Sequence, residues 1–114
     1  MTAHAYQHLH ADFVGVPPAQ LGDVDLLSGL LIAAAGAAGL TAVGAPAVRR
    51  LPDGGVAGVL LLECCHIAVH AVPARQLLLL DVLVLATRDA RKALDVFARR
   101  LGPRDVRSDT RGRG

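Results

Sequence analysis

The spacing of hydrophobic residues predicts a first β-strand over residues 6–14, where apolar and polar side chains alternate. Since neighbouring side chains of a strand point to opposite faces, one face of this strand is polar and the other is apolar. The polar face carries Tyr6, His8, His10 and Asp12, and the apolar face carries Leu9, Ala11 and Phe13. The next segment, residues 15–20, contains Pro17 and Pro18 and is expected to be a loop.

Two segments have apolar residues at helical spacing instead. The first runs from about Asp23 to Ala38, begins with acidic residues that suit the positive end of a helix dipole, and is followed by Gly39, which favours a stop. The second runs from Thr87 to Leu101, with Thr87 as its expected cap, and ends before Gly102.

Four more strands are predicted between these helices, at residues 41–50, 56–62, 63–73 and 75–85. Residues 104–109 are expected to add a short edge strand, and residues 109–114 to form a disordered basic tail after a single domain over residues 1–108. The order β-α-β-β-β-β-α predicts an α+β fold. It is a two-layer sandwich in which two helices cover one face of a mainly antiparallel sheet.

The most unusual stretch is residues 63–73, where two adjacent cysteines and two histidines interrupt an otherwise apolar segment. If this stretch is extended, His66 and His70 share one of its faces. Because apolar strands flank it on both sides, we expect Cys64 and Cys65 near the middle of the sheet. A disulfide between adjacent residues is strained, so both thiols are expected to be free in a reducing compartment, the cytoplasm.

The strand over residues 75–85 is apolar on both faces, which suits contact with helices on one side and with a second sheet or subunit on the other. Asp81 interrupts this run. A carboxylate in the middle of a strand costs several kcal/mol unless it is paired or lies at an exposed cleft. The sequence therefore predicts either a partner or an open position for Asp81.

Composition excludes several classes of partner. Of the 114 residues, 3% are aromatic and the formal net charge is +2, which argues against single-stranded nucleic acids and other polyanions. The longest apolar run, around Leu77 to Ala86, contains Asp81 and is too short to span a bilayer. The first residues lack the basic and apolar regions of a signal peptide. No nucleic-acid or membrane partner is expected.

Four segments carry a recognisable family pattern. Residues 8–13 read His-Leu-His-Ala-Asp-Phe, residues 55–59 read Gly-Val-Ala-Gly-Val, residues 65–73 read Cys-His-Ile-Ala-Val-His-Ala-Val-Pro, and residues 80–83 read Leu-Asp-Val-Leu. This pattern resembles the small prokaryotic S-adenosylmethionine decarboxylases over about residues 7–108. The most specific part is the His-x-x-x-His-x-x-Pro spacing with Asp81 behind it.

The resemblance implies a pyruvoyl-dependent enzyme of spermidine synthesis that cuts its own chain between a Glu and a Ser. The pyruvoyl group made from that Ser withdraws electrons as the amino-acid substrate, S-adenosylmethionine, loses CO₂. By position, Cys65 matches the Ser, Cys64 matches the Glu, His70 matches the processing His, and His66 matches its neighbour. These four residues are the expected catalytic set. The family also implies a homodimer with sites near the subunit interface.

By the same resemblance, Asp81 and Phe13 are the expected substrate contacts. Several family positions differ in this chain. Ala57 stands for a Ser that assists processing, Leu85 for a proton-donating Cys, and Ala74 for a Glu after the Pro. Because a thiolate is intrinsically a better nucleophile than a hydroxyl, Cys65 retains a chemical route to self-cleavage with His70 as base.

Three functions follow from these observations. The first is a decarboxylase that processes itself at Cys65, acting on S-adenosylmethionine or another amino acid. The second is a catalytically inactive homologue that pairs with an active decarboxylase and modulates it. The third is a metal-binding module for Zn²⁺ or Cu⁺. Its candidate ligands are His8, His10, Cys64, Cys65, His66 and His70.

Overall fold

In the computed structural model, which describes residues 3–114, six antiparallel strands form one sheet and three helices lie on one of its faces. The strands are β1 Tyr6–Val14, β2 Ala47–Arg50, β3 Val56–Leu62, β4 Cys65–Val72, β5 Leu77–Leu85 and β6 Asp105–Arg113. The helices are α1 Pro18–Leu21, α2 Val24–Ala37 and α3 Ala90–Leu101. The strand order is β2-β3-β4-β5-β1-β6. The predicted α+β class and the antiparallel sheet are confirmed.

Apolar and polar side chains alternate along the strands, and the helices cover the apolar face of the sheet. The inward residues of β4, Ile67, Val69 and Ala71, are buried under the helices. The rings of Phe13 and Phe97 join the sheet to α3, with centroids 6.4 Å apart. The opposite side, here called the open face, carries the outward residues of the strands: Ala57, Val59, Leu61, His66, Ala68, His70, Leu79, Asp81, Leu83, His8, His10 and Asp12.

Both long helices begin at an aspartate. The Asp23 carboxylate accepts a hydrogen bond from the Leu26 N–H at 3.0 Å, as expected for the first residue of α2. At α3 the Asp89 carboxylate accepts from the Arg91 N–H at 3.1 Å. The prediction of Thr87 as the cap was therefore wrong, because Asp89 takes this role and the helix begins at Ala90.

Three other boundaries differ from the sequence predictions. The segment 15–20, predicted to be a loop, contains the start of α1, whose first residue Pro18 has no N–H to leave unpaired. The strand predicted over residues 41–50 is confined to Ala47–Arg50, since glycine and proline precede it. Leu77 opens β5 two residues later than predicted, after a 3₁₀ turn at Pro73–Arg75.

The disordered tail predicted for residues 109–114 was wrong. These residues continue β6 as far as Arg113, and the strand pairs with β1 over its whole length, from Tyr6 opposite Arg113 to Val14 opposite Asp105. The backbone bonds to β1 hold this segment, although its polar sequence has weak strand propensity. Within residues 3–114, no helix is long and apolar enough to cross a membrane.

Close packing between the sheet and α2 leads to a first testable prediction. A Cβ added at Gly58 would lie 2.8 Å from Val48 Cγ2 and 3.4 Å from Leu31 Cδ1. We expect Gly58→Ala to lower the free energy of unfolding by about 1–3 kcal/mol, because the core would be overpacked. Gly29→Ala in α2 is the matched control. It has open space within 4 Å and should raise stability by about 0.5–1 kcal/mol. Urea unfolding of both variants measures the difference, and equal stabilities would contradict this packing.

Candidate functional site

The two cysteines lie at the end of a hairpin. Glu63 and Cys64 form the turn between β3 and β4, and Cys65 is the first residue of β4, opposite Leu62. The expectation of thiols near the middle of the sheet is therefore corrected. The hairpin occupies an interior position in the strand order, but the thiols are at its tip. The alternation predicted for the histidines is confirmed, since His66 and His70 share the open face.

The backbone at Cys65 has an unusual conformation. Its φ angle is +128°, in a region that residues with a side chain rarely adopt. Such a conformation costs on the order of 1–3 kcal/mol and persists only where the surrounding structure imposes it. Here the tight turn on one side and the β4 ladder on the other impose it. The strain is thus located at the residue that follows the Cys64–Cys65 peptide bond.

Neither thiol is in a disulfide, and their exposure differs. Cys64 is exposed and Cys65 is half-buried. Burial raises the pKa of the Cys65 thiol above its ordinary value. The charge of a Cys64 thiolate and the hydrogen bond between the two side chains raise it further. A raised pKa lowers the thiolate fraction at neutral pH, so an attack by Cys65 needs a base or a higher pH.

This shift leads to a second prediction, for the pH dependence of any reaction of Cys65. The rate should rise with pH up to the raised pKa, because only the thiolate attacks. In Cys64→Ala the neighbouring thiol is gone, and the profile should move to lower pH by part of the shift, since burial is the largest cause. Rates of iodoacetamide labelling at residue 65 of the uncut chain, resolved by peptide mass spectrometry, give the profile. An unchanged profile in Cys64→Ala would contradict this account.

A small cavity of about 160 Å³ adjoins the hairpin turn. Its walls include Glu63 and Cys64 from the turn, Leu85 from the end of β5, and Arg88 from the loop before α3. Leu85, the position matched to the family's proton donor, is thus next to Cys64 within one chain. Arg88 was not predicted as a site residue. The only sequence signal for it is a charged residue shortly after an apolar strand.

The histidines of β4 are arranged along the strand, away from each other. His70 is five residues after Cys65, and a strand rises about 3.3 Å per residue, so the two are roughly 16 Å apart. His70 lies opposite Ala57 on β3 and Leu79 on β5. With Ala68 these residues line a shallow depression of about 510 Å³ on the open face. Within one chain, His70 cannot reach Cys65.

Asp81 has both a partner and an open position, the two possibilities predicted for a carboxylate in the middle of a strand. Its side chain is 51% exposed, and its carboxylate lies 3.0 Å from Nε2 of His8 on the neighbouring strand. Asp81 also borders the same depression as His70. Phe13 lies elsewhere. Its ring has no exposed surface and packs inward against Phe97, which speaks against the predicted substrate contact.

The six candidate metal ligands do not converge. Within residues 3–114, no three histidine, cysteine, aspartate or glutamate side chains are grouped so that they could hold a metal ion. His8 is on β1, His70 is far along β4, and the thiols are at the hairpin tip. The part of the chain that the structure describes therefore does not bring the predicted metal ligands together within one copy.

Known proteins are similar to this chain in overall fold. No curated protein matches the chain. Among solved structures, an adenosylmethionine decarboxylase from Aquifex aeolicus VF5 is similar, with a TM-score of 0.88 and 28% sequence identity, over 99% of this chain and 93% of that chain. The family model described as S-adenosylmethionine decarboxylase matches residues 7–114, nearly the whole sequence. The chain therefore belongs to the S-adenosylmethionine decarboxylase family.

Proposed function

We propose that this chain is a self-processing decarboxylase of S-adenosylmethionine or a related amino acid, with a pyruvoyl group made from Cys65. Family membership supports a decarboxylase of polyamine synthesis. The observation that carries the proposal is the strained backbone of Cys65 at an exposed turn, where a thiol stands at the family's position for self-cleavage. Its free thiols suit the reducing cytoplasm.

The processing reaction follows from the chemistry of a thiol at this position. The Cys65 thiolate attacks the carbonyl carbon of Cys64, the peptide C–N bond breaks, and a thioester forms while the amine of residue 65 is freed. Removal of the Cys65 α-proton then breaks its Cβ–S bond and expels residue 64 as a thiocarboxylate. The remaining enamine tautomerises to an imine, which takes up water and releases ammonia. This leaves a pyruvoyl group at the start of fragment 65–114.

Strain favours the first of these steps. Opening the Cys64–Cys65 peptide bond releases the φ of +128° at Cys65, so part of the cost of breaking the amide is recovered. The base cannot be His70 of the same chain, because it lies roughly 16 Å away at 3.3 Å per residue. Two histidines are left as candidates for the base. They are His66 of the same chain, which follows Cys65 directly, and His70 of a second copy.

A homodimer through the open face would bring His70 of a second copy to Cys65. Leu61 is 58% exposed and Leu79 is 38% exposed on that face, so two large apolar side chains lie there among histidines and aspartates, where a subunit contact would cover them. A two-fold copy placed there with its strands antiparallel would carry its His70 toward the Cys65 end of this chain. We therefore propose that each processing site takes its sulfur from one chain and its base from the other.

The cavity beside the turn is lined by Cys64, the neighbour of Cys65, and its volume of about 160 Å³ has room for the amino-acid end of a substrate only, since pockets for whole ligands are about 300–1,000 Å³. A pyruvoyl group at residue 65 would supply a carbonyl that accepts the electron pair left when the substrate carboxylate departs. Arg88 and Glu63 give the cavity one positive and one negative side chain, which suits a zwitterionic amino acid. Leu85 has no proton to donate, so Cys64, His66 or water must protonate the product. We expect turnover to be slower than with a thiol at position 85.

Release of CO₂ from carboxyl-labelled S-adenosylmethionine, and from a panel of other amino acids, tests this activity. Processed protein should release label, and phenylhydrazine, which reacts with the pyruvoyl carbonyl, should abolish the release. Cys65→Ala is the matched control and should release none. A processed chain that decarboxylates no amino acid in the panel would contradict the decarboxylase proposal.

A second function is favoured by two particular positions. Ala57 faces His70 across the β3–β4 ladder where the family has a Ser, and Leu85 lines the cavity where the family has a Cys. These losses suit an inactive homologue that pairs with an active decarboxylase through the open face. An uncut chain that co-purifies with a second decarboxylase subunit and changes its rate would support this function over the first.

A further inference from the structure

Strand β6 is a long, exposed edge. It lies last in the strand order, so within residues 3–114 no strand pairs with its outer side. All of its residues except Val106 are exposed. An edge of this length with free backbone groups is a template for pairing with another chain unless something blocks it.

The hydrogen bonding of β1 shows which backbone groups of β6 are free. The Gly15 N–H donates to Gln76 O beside β5, so odd residues of β1 point their backbone groups to β5 and even residues point theirs to β6. Even residues of β1 lie opposite odd residues of β6. The outer edge therefore presents the N–H and C=O groups of four even residues, Val106, Ser108, Thr110 and Gly112.

The odd residues of the same strand alternate in charge. Asp105, Arg107, Asp109 and Arg111 all project to the open face, and all are exposed. The antiparallel register in which Ser108 faces its own copy makes all four of these side chains complementary. In that register Asp105 faces Arg111 of the second copy, and Arg107 faces Asp109 of the second copy.

The two neighbouring registers lose this complementarity. Shifting the two strands by one step of the ladder in one direction places Arg107 opposite its own copy and Asp105 opposite Asp109. Shifting in the other direction places Asp109 opposite its own copy and Arg107 opposite Arg111. Like charges directly opposite each other destabilise a strand pair. A shift of two steps, which places Val106 opposite its own copy, keeps only the two contacts between Asp105 and Arg107, against four unlike contacts in the register centred on Ser108. Charge thus favours the register centred on Ser108, and its pairs are at the closely spaced positions where side chains interact most.

We propose that β6 of one chain pairs with β6 of a second copy in this register, extending the sheet edge to edge. The pairing uses the four free backbone positions and the four charged side chains together. It is separate from the contact proposed on the open face and does not depend on the proposed enzymatic activity. Together, the two contacts would join dimers into a larger assembly.

Cysteine cross-linking of the full-length chain tests the register. Ser108→Cys places two thiols on residues whose Cα atoms are about 5.5 Å apart in a paired ladder, within the range of a disulfide. Thr110→Cys is the matched control, because its copy lies about 13 Å away along the strand. Under mild oxidation with glutathione, we expect the 108–108 linked peptide to form at least about tenfold faster than the 110–110 peptide. Equal rates would overturn the proposal.

Charge exchange tests it without cysteine. In chains that also carry Leu79→Glu, so that the open-face contact does not contribute, Arg107→Asp and Asp109→Arg each place like charges opposite, and each should weaken association measured by sedimentation at low salt by at least about tenfold. The double variant restores unlike pairs and should restore association. Circular dichroism checks that each variant is folded. Failure of the double variant to recover, with its fold intact, would overturn the proposal.

Discussion

Cys65→Ala should abolish self-cleavage completely, leaving a single chain of 114 residues under conditions in which the parent chain is cut. The Cys65 thiol is the nucleophile that attacks the Cys64 carbonyl, and the methyl side chain of alanine cannot replace it at this strained position. The purified variant and the parent are compared by intact mass spectrometry over several days. Cleavage of Cys65→Ala at the same bond would show that another group makes the attack.

Cys65→Ser is the informative companion to this variant. Serine keeps the family's own nucleophile but attacks more slowly in the absence of the assisting residue at Ala57. Its fragment 1–64 should end in a carboxylate. The parent's fragment should first end in a thiocarboxylate, heavier by the difference between sulfur and oxygen, which hydrolyses with time. A carboxylate from the start in freshly cut parent protein would contradict elimination of a thiocarboxylate from Cys65.

Leu79→Glu should dissociate the proposed open-face dimer and stop self-cleavage in the same step. The side chain lies next to His70 across the β4–β5 ladder, and a two-fold contact would bury two glutamates. An unpaired polar group buried in an apolar contact costs several kcal/mol, and about 4 kcal/mol corresponds to a roughly thousandfold weaker dimer. Light scattering at micromolar concentration and the rate of cleavage measure both effects, in chains that also carry Arg107→Asp so that the proposed β6 contact does not contribute.

Ile32→Glu is the matched control for this variant. Ile32 is 56% exposed on α2, on the opposite layer of the molecule, so its substitution should leave both association and cleavage unchanged. A second test mixes two variants. Cys65→Ala supplies an intact His70, and His70→Ala supplies an intact Cys65. If the base comes from the other chain, mixing should restore cleavage of the His70→Ala chain. Cleavage of monomeric Leu79→Glu would contradict the shared site.

The sheet was predictable from the sequence wherever one face is apolar. The alternation over Tyr6–Val14 and the apolar runs of β3 and β5 fixed three strands nearly to the residue. The histidines of β4 were placed on the correct face for the same reason, because the period of a strand is two. The spacing of apolar residues shows which side chains are buried, and each of these strands has a buried face.

The errors occurred where backbone geometry, not burial, decides the structure. Nothing in the pattern distinguishes a turn at Cys64 from a continuous strand, so the thiols were expected in mid-sheet. The polar residues of β6 carry no apolar signal, and the strand forms because β1 offers it a full ladder. Thr87 and Asp89 are both residue types that cap helices. Asp89 caps α3, because its carboxylate accepts the hydrogen bond from the Arg91 N–H.

The candidate site was predicted in its residues but not in its arrangement. Cys65 and His70 were named together, yet one strand separates them by five positions. Arg88 enters the cavity through the loop before α3, which no spacing rule connects to Cys64. The contact between His8 Nε2 and the Asp81 carboxylate depends on the register of β1 against β5, and the register is defined only when the strands pair.

The measurement that tests the central claim most directly is intact-protein mass spectrometry of the purified parent chain under reducing conditions. The account predicts two fragments, residues 1–64 and 65–114, with the second beginning in a pyruvoyl group in place of Cys65. A single uncut chain that remains stable over days would contradict self-processing and would leave the function as an inactive partner of another decarboxylase.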